Sequence, residues 1–169
     1  MSSPSPSSPS SPAREPAAGA PTGLRHRNLA LLLLQAREGV MARFRPILNA
    51  HGVTEQQWRI LRALLERGDM EPRQIGQVCR ISSPSLAGVL ARMDDLGLVQ
   101  RERLAQDQRR VMVMLTDRSR ALAAAMAPEI EAAYAGIEAH IGAAFIDRFY
   151  ASLDELIGLL GSLPVDEGE

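Results

Sequence analysis

The chain has 169 residues, with 19 basic against 20 acidic side chains and a formal net charge of -1, a length that fits one domain able to bury a core without metals or disulfides. That balance excludes a protein holding nucleic acid through bulk charge, so any basic face must be local and offset elsewhere. Every basic residue is Arg, the lone Cys79 excludes an internal disulfide and fits a reducing, cytoplasmic compartment, and no apolar run reaches the roughly 18 residues needed to span a bilayer.

Residues 1–23 are mostly Ser, Pro, Ala and Gly, with too little apolar surface to offset the entropy of ordering, and are expected to form a disordered tail. They lack the apolar core of a signal peptide. A helix is expected from Asn28 to about Asn49, with Leu29, Leu33, Val40, Met41, Phe44 and Leu48 at three- and four-residue steps, a kink at Pro46 and a stop at Gly52. Thr54, with Gln57 three residues on, makes a capping pattern for a second helix through Arg67 that buries Trp58, Leu61 and Leu65.

Two shorter helical patterns follow. "EPRQIGQV", residues 71–78, places Glu71 and Pro72 in a first turn. "SPSLAGVLARMDDLG" is capped by Ser82 or Ser83, carries Leu86, Val89, Leu90, Met93 and Leu96 on one face, and stops at Gly97. Helix, short turn and second helix together form a helix-turn-helix pattern. "GLVQRER" and "RVMVML" then read as two strands joined by residues 105–109, which lack a tight-turn signature and predict a longer, mobile tip. In the second strand Val111, Val113 and Leu115 fall on one side, Met112 and Met114 on the other.

Thr116 opens a long helix to about His140 holding Leu122, Met126, Ile130, Ala133, Tyr134 and Ile137. After Gly142, the residues Ile146, Phe149, Leu153, Leu156, Leu160 and Leu163 make the clearest amphipathic stripe in the chain. No period of about 20 to 50 residues repeats, which excludes a solenoid.

A small hairpin is not stable alone and must pack on its helical neighbours. If the helix from Ser83 lies in a DNA major groove, the hairpin tip falls against flanking backbone or minor groove, whose negative potential favours guanidinium groups. Arg109 would then enter the minor groove, while Arg101, Arg103 and Arg110 meet phosphates or hold the hairpin, and Asp107 pairs with an Arg to fix the tip. The hydroxyls of Ser82, Ser83 and Ser85 at a helix N-terminus suit phosphates, and Arg92 is within reach of a guanine edge or a phosphate. Gly88 weakens a helix by about 1 kcal/mol against Ala, a cost that close approach to DNA or a tolerant surface would explain.

These residues resemble the multiple-antibiotic-resistance regulator (MarR) family of winged helix-turn-helix repressors. The likeness lies in "SPSLAGVLARMDDLGLV", in "GLVQRER", and in "DQRRVMVMLT" with its Asp-x-Arg wing and Leu-Thr helix start, and it runs from about Arg25 to Leu160. "RHRNLALLLLQAREGVMARFRPILNAHGVTEQQWRILRAL" is similar to the subgroup of the homoprotocatechuate-degradation regulator. Ser119 departs from the Gly that many members carry there and should alter only the start of its helix. The resemblance implies a mainly α fold with a small β-hairpin wing, and a homodimer in which the first and last helices intertwine.

Residues 54–116 would then form the winged DNA-binding lobe. Residues 24–53 and 117–163 would form the helical dimerisation region, with 164–169 a C-terminal tail. The resemblance also implies release from DNA by a small phenolic or aromatic acid between the dimer helices and the lobe. Its physical counterpart here is the stripe of His26, Leu33, Arg37, Met41 and Phe44, a cation within an apolar face that needs an anion. Trp58 and Arg62, one turn apart, would add an aromatic wall and a second cation. Arg25, His26, Arg37, Trp58 and Arg62 are thus the expected effector residues; an acidic partner for Arg37 on the other subunit and a core role for Trp58 are the plainer alternatives.

No cofactor or metal is expected: His51, His140 and Cys79 have no ligand spacing. There is no phosphate-binding Gly loop, nucleophile elbow, His-Glu-x-x-His or paired-Cys motif, so an enzyme is not expected. The expected function is a repressor of aromatic or heteroaromatic acid catabolism genes that leaves a pseudo-palindromic operator when a hydroxylated aromatic carboxylate binds. The alternatives are a dimeric helical protein-interaction module without DNA binding, and a redox-sensing regulator acting through Cys79, which reads more simply as a small buried hydrophobe.

Overall fold

In a computed structural model of the chain, residues 25–104 and 107–162 are described, with backbone alone at 104 and 107–109. The expected tails, Leu163 and the hairpin tip at 105–106 lie outside the described residues. Six helices and one hairpin run in the order α1 (Leu29–Ala50), α2 (Glu55–Arg67), α3 (Pro72–Cys79), α4 (Ser83–Asp95), β1 (Val99–Leu104), β2 (Asp107–Leu115), α5 (Asp117–Ile141) and α6 (Ala143–Ser162).

Local chemistry sets most boundaries. Asn28 caps α1 by accepting from the Leu31 amide, and Thr54 and Gln57 form the full reciprocal capping box of α2. Pro72 occupies the start of α3, where the missing N–H costs nothing. Ser82, not Ser83, is the N-cap of α4, yet its hydroxyl donates to Ser85 Oγ (3.1 Å) and no side chain caps that first turn. Thr116 caps α5, accepting from the Ser119 amide, and its own hydroxyl donates to Gly97 O at 2.7 Å. Ser119 is buried and donates to Thr116 O, so it reinforces that helix start.

The turn between α3 and α4 is tight. Arg80 takes a left-handed conformation (φ 50°, ψ 50°), with its amide bonded to Gly76 O. A Cβ at Gly76 would stand 3.2 Å from Ile81 O, so glycine permits this close approach. The core sits in this lobe: Ile60 and Leu61 of α2, Ile75 of α3, Leu90 and Met93 of α4, Val99 and Val113 of the hairpin, and Met126 and Ile130 of α5 are all nearly inaccessible to solvent. Phe44 and Leu48 bring the C-terminal half of α1 into the same cluster.

Several buried faces differ from expectation. Leu65 is exposed, Trp58 only half-buried, and Ile60 and Leu64 take the core positions, because α2 turns its apolar stripe toward α3 and α4. Leu96 is exposed beyond the last turn of α4, and Leu29, Leu33 and Val40 are exposed on α1. Helix α6 has no buried residue. Phe145, Phe149, Ile157 and Leu160 of that helix face solvent in the single chain.

The hairpin pairs Val99 with Leu115 and Arg101 with Val113, and closes at Leu104 opposite Asp107 after an irregularity at Arg103/Leu104. Strand β2 therefore begins at Asp107 rather than Arg110, and the connection is shorter than residues 105–109. Met70 adds one antiparallel bridge to the other side of Val113, donating at 3.2 Å and accepting at 2.9 Å. The hairpin is thus anchored to the segment that leads into α3.

Candidate functional site

The outer face of the lobe gathers the first set of residues. Ser82, Ser83 and Ser85 at the N-terminus of α4 and Arg92 near its end are all exposed, while Leu86, Val89, Leu90 and Met93 on the opposite face hold the helix to the core. A Cβ at Gly88 would meet only Arg92 Nη1 at 3.6 Å, an ordinary contact, so nothing within the chain requires glycine there. Between α3, α4 and β1 lies a groove of about 710 Å³ lined by Ile81, Leu86 and Leu90 as well as Arg73, Ser83 and Arg101.

Arg101 and Arg110 of the hairpin are held by carboxylates. Arg101 Nε stands 3.3 Å from Asp94 Oδ2 at the end of α4. Arg110 Nε donates to Glu71 Oε1 at 2.6 Å, and its Nη2 reaches the same oxygen. Both pairs join the hairpin to the neighbouring helices. Arg103 is exposed on β1. The Asp107 and Arg109 side chains, and with them the expected pairing of Asp107, lie outside the description, although both residues fall in β2.

A second constellation lies on the opposite flank, between α2 and α5. A cleft of about 190 Å³ is lined by Trp58, Arg62, Leu65 and Glu66 from α2 and by Ala123, Ala127, Ile130 and Glu131 from α5. The Arg62 guanidinium carbon stands 6.0 Å from the Trp58 ring centroid, a cation–π separation. Arg62 also donates from Nε (2.9 Å) and Nη2 (2.6 Å) to a single oxygen of Glu66, one helical turn on.

Tyr134 of α5 packs on Phe44 of α1 with ring centroids 4.7 Å apart. Burial pushes its phenol pKa up, and the nearby Arg62 charge opposes that shift. The tyrosine is half-exposed and was legible in the sequence only as one residue of a stripe; its ring contact depends on the packing of α1 on α5. Glu66 carries the one local signal, its four-residue spacing from Arg62.

In the single chain the residues expected from the first helix lie apart from this cleft. Arg25 and His26 precede Asn28, outside the helix, so His26 shares no stripe with Arg37; both are exposed, and neither lines the cleft. Arg37 is exposed and paired, with Nη1 on Glu38 Oε1 (2.5 Å) and Nη2 on Glu55 Oε2 (2.9 Å). Arg45 contacts the same two carboxylates, with its Nε 2.5 Å from Glu55 Oε1. The two arginines and two glutamates form a closed ring joining α1 to the first turn of α2, so Arg37 has acidic partners in its own chain. The hydrogen bond from Arg45, and after it the one from Arg37, holds the Glu55 carboxyl below its ordinary pKa; the bonds to Glu38 and Glu55 raise that of Arg45.

Cys79 is buried, its Sγ 3.6 Å from Arg59 O, and burial pushes its thiol pKa up, away from the reactive thiolate. Among the described residues no cluster of His, Cys, Asp or Glu is arranged to hold a metal ion, and no helix is long and apolar enough to cross a membrane.

A helix-turn-helix with a hairpin bonded to its flank, set on long helices, defines the winged helix-turn-helix class. Residues 51–110 match the model of the MarR family. The chain is 41% identical to the homoprotocatechuate degradative operon repressor of Escherichia coli over 141 residues, 83% of this chain and 95% of that one. It is 40% identical to the HTH-type transcriptional regulator FarR of Neisseria gonorrhoeae over 122 residues, 72% and 84% of the two chains. Among solved structures, that of NadR in complex with 4-hydroxyphenylacetate superposes with a TM-score of 0.73 at 36% identity, covering 86% of this chain and all of that one. The chain belongs to the MarR family; its relatives and its fold are those of transcriptional regulators, not enzymes.

Proposed function

We propose that the protein is a cytoplasmic, ligand-responsive repressor of aromatic or heteroaromatic acid catabolism genes. It acts as a homodimer on a pseudo-palindromic operator and leaves it when a small hydroxylated aromatic carboxylate binds. The observation that carries this reading is the α2–α5 cleft, where Arg62 stands over the Trp58 ring on a helix whose inner face is the floor of the DNA-binding lobe. An aromatic wall beside a guanidinium suits a ligand with a ring and a carboxylate. The relatives support the same class, one as repressor of an operon for homoprotocatechuate degradation, the other in complex with 4-hydroxyphenylacetate.

The DNA-binding side rests on the exposed α4 face and the hairpin. On this reading the hydroxyls of Ser82, Ser83 and Ser85 at an uncapped helix start meet phosphates, Arg92 meets a base edge or phosphate, Arg109 enters the minor groove, and Arg101, Arg103 and Arg110 meet phosphates or hold the hairpin. The exposed apolar side chains of α6 and of the first half of α1 supply the surface for a second copy. Two recognition helices must then match half-sites one helical turn apart, ~34 Å. A ligand weakens DNA binding only through its different affinity for the DNA-competent and DNA-incompetent arrangements.

The test is fluorescence anisotropy with the chain's own upstream DNA, titrated with hydroxylated benzoates, phenylacetates and nicotinates. Release by at least one of these acids, with DNA affinity that falls steeply as salt is added, is the expected result. DNA binding that no aromatic acid alters removes the effector reading, and an absence of DNA binding removes the whole.

A further inference from the structure

We infer that Glu66 is a built-in competitor for the effector carboxylate and sets the ligand concentration at which the α2–α5 cleft is occupied; this rests on the reading of that cleft as the effector site. The guanidinium of Arg62 is not vacant. Its Nε and Nη2, the edge a carboxylate would grip with two parallel hydrogen bonds, both already donate to Glu66 Oε1, at 2.9 and 2.6 Å. With the Arg62 guanidinium 6.0 Å from the Trp58 ring, an aromatic acid packed against the indole would bring its carboxylate to Arg62, whose Nε and Nη2 Glu66 already occupies.

Charge within the cleft points the same way. Arg62 is the only cation among the lining residues, and Glu66 and Glu131 are both present, so an incoming carboxylate would be the third anion around one cation. It binds favourably when Glu66 leaves. That exit is open: Glu66 lies on the outer face of α2 with 55% of its side chain exposed, and it can rotate into water without a buried charge being left behind. The exposed pair is weak, so the barrier is a modest, graded one: Glu66 lowers affinity for acids and leaves uncharged analogues little affected. The cleft thereby discriminates by strength of anion binding, and a ligand able to form both hydrogen bonds to Arg62 is favoured over one that forms one.

The experiment is isothermal titration of the full chain and its Glu66→Gln variant with 4-hydroxyphenylacetate and with its uncharged amide. Glu66→Gln keeps the size and helix preference of the side chain while removing the anion, and Glu66→Ala is the second variant should Gln retain a bond to Arg62. The expected result is an affinity for the acid higher by about three- to tenfold in both variants, with the amide changed by less than about twofold. Equal affinity for the acid in all three proteins, or an equal gain for acid and amide, overturns the role of Glu66 while leaving the effector site standing. If none of the three proteins binds the acid, the effector reading fails and this inference with it.

Discussion

Arg110 and Glu71, 39 residues apart in the chain, meet at 2.6 Å and tie the hairpin to the start of α3. An arginine on a DNA-facing hairpin would by itself be read as a phosphate contact, and its carboxylate partner changes that reading: the pair orients the hairpin. The two roles give opposite signs for one mutation. Glu71→Ala is expected to weaken binding to upstream DNA about three- to tenfold as the hairpin loosens, with thermal stability little changed, since an exposed pair contributes at most about 1 kcal/mol. Stronger DNA binding by Glu71→Ala in an anisotropy titration would instead make Arg110 a phosphate contact from which a repelling carboxylate had been removed.

On the proposed reading Arg109 enters the minor groove. Arg109→Ala is expected to cost about 1–3 kcal/mol of DNA affinity and to flatten the dependence of log affinity on log salt by about one ion. Titrations at several salt concentrations check both. An affinity within about twofold of the parent removes the assignment.

The Arg37–Glu38–Arg45–Glu55 ring makes a pH prediction. Glu55 has a folded pKa below its usual value of 4.5, the Arg45 hydrogen bond being the larger of the two arginine contributions. Its stabilising effect is therefore complete at neutral pH and is lost as pH falls from the unfolded pKa through the folded one. Melting temperature should drop more steeply below about pH 4.5 in the parent than in Glu55→Gln, and parallel curves would show that the ring contributes nothing.

Helix α6 has no fully buried residue within its own chain. If a second copy covers it, melting temperature rises with protein concentration. Replacing Ile157 and Leu160, which are 61% and 52% exposed, together by Asp should give a monomer by sedimentation velocity and weaken operator binding by about a hundredfold or more, since the two half-sites are then bound independently. A parent protein that sediments as a monomer at micromolar concentration sinks the twofold mechanism.

What was legible in the sequence was what short-range chemistry decides. The Thr54–Gln57 box, the Gly97 stop and the buried Leu86, Val89, Leu90 and Met93 all follow from spacings of a few residues. The Met70–Val113 bridge was not legible, because a one-residue bridge has no periodicity. The inward face of α2 was misjudged at Leu65: Trp58, Leu61 and Leu65 form a regular stripe, but the core is offered by α3 and α4, which select Ile60, Leu61 and Leu64. At the candidate effector site Trp58 and Arg62 were visible as a pair one turn apart. The pairing of Arg37 with Glu55 was not legible because it depends on how α1 meets α2, nor was the packing of Tyr134, whose ring partner Phe44 lies ninety residues away.

The Met70 bridge has a mechanical meaning. Since Met70, bridged to the hairpin, is also the lead-in to α3, hairpin and α3 cannot rock separately without breaking two backbone hydrogen bonds. On the proposed mechanism, a signal that starts at the α2–α5 flank therefore moves hairpin and α3 together, because separating them costs both bonds.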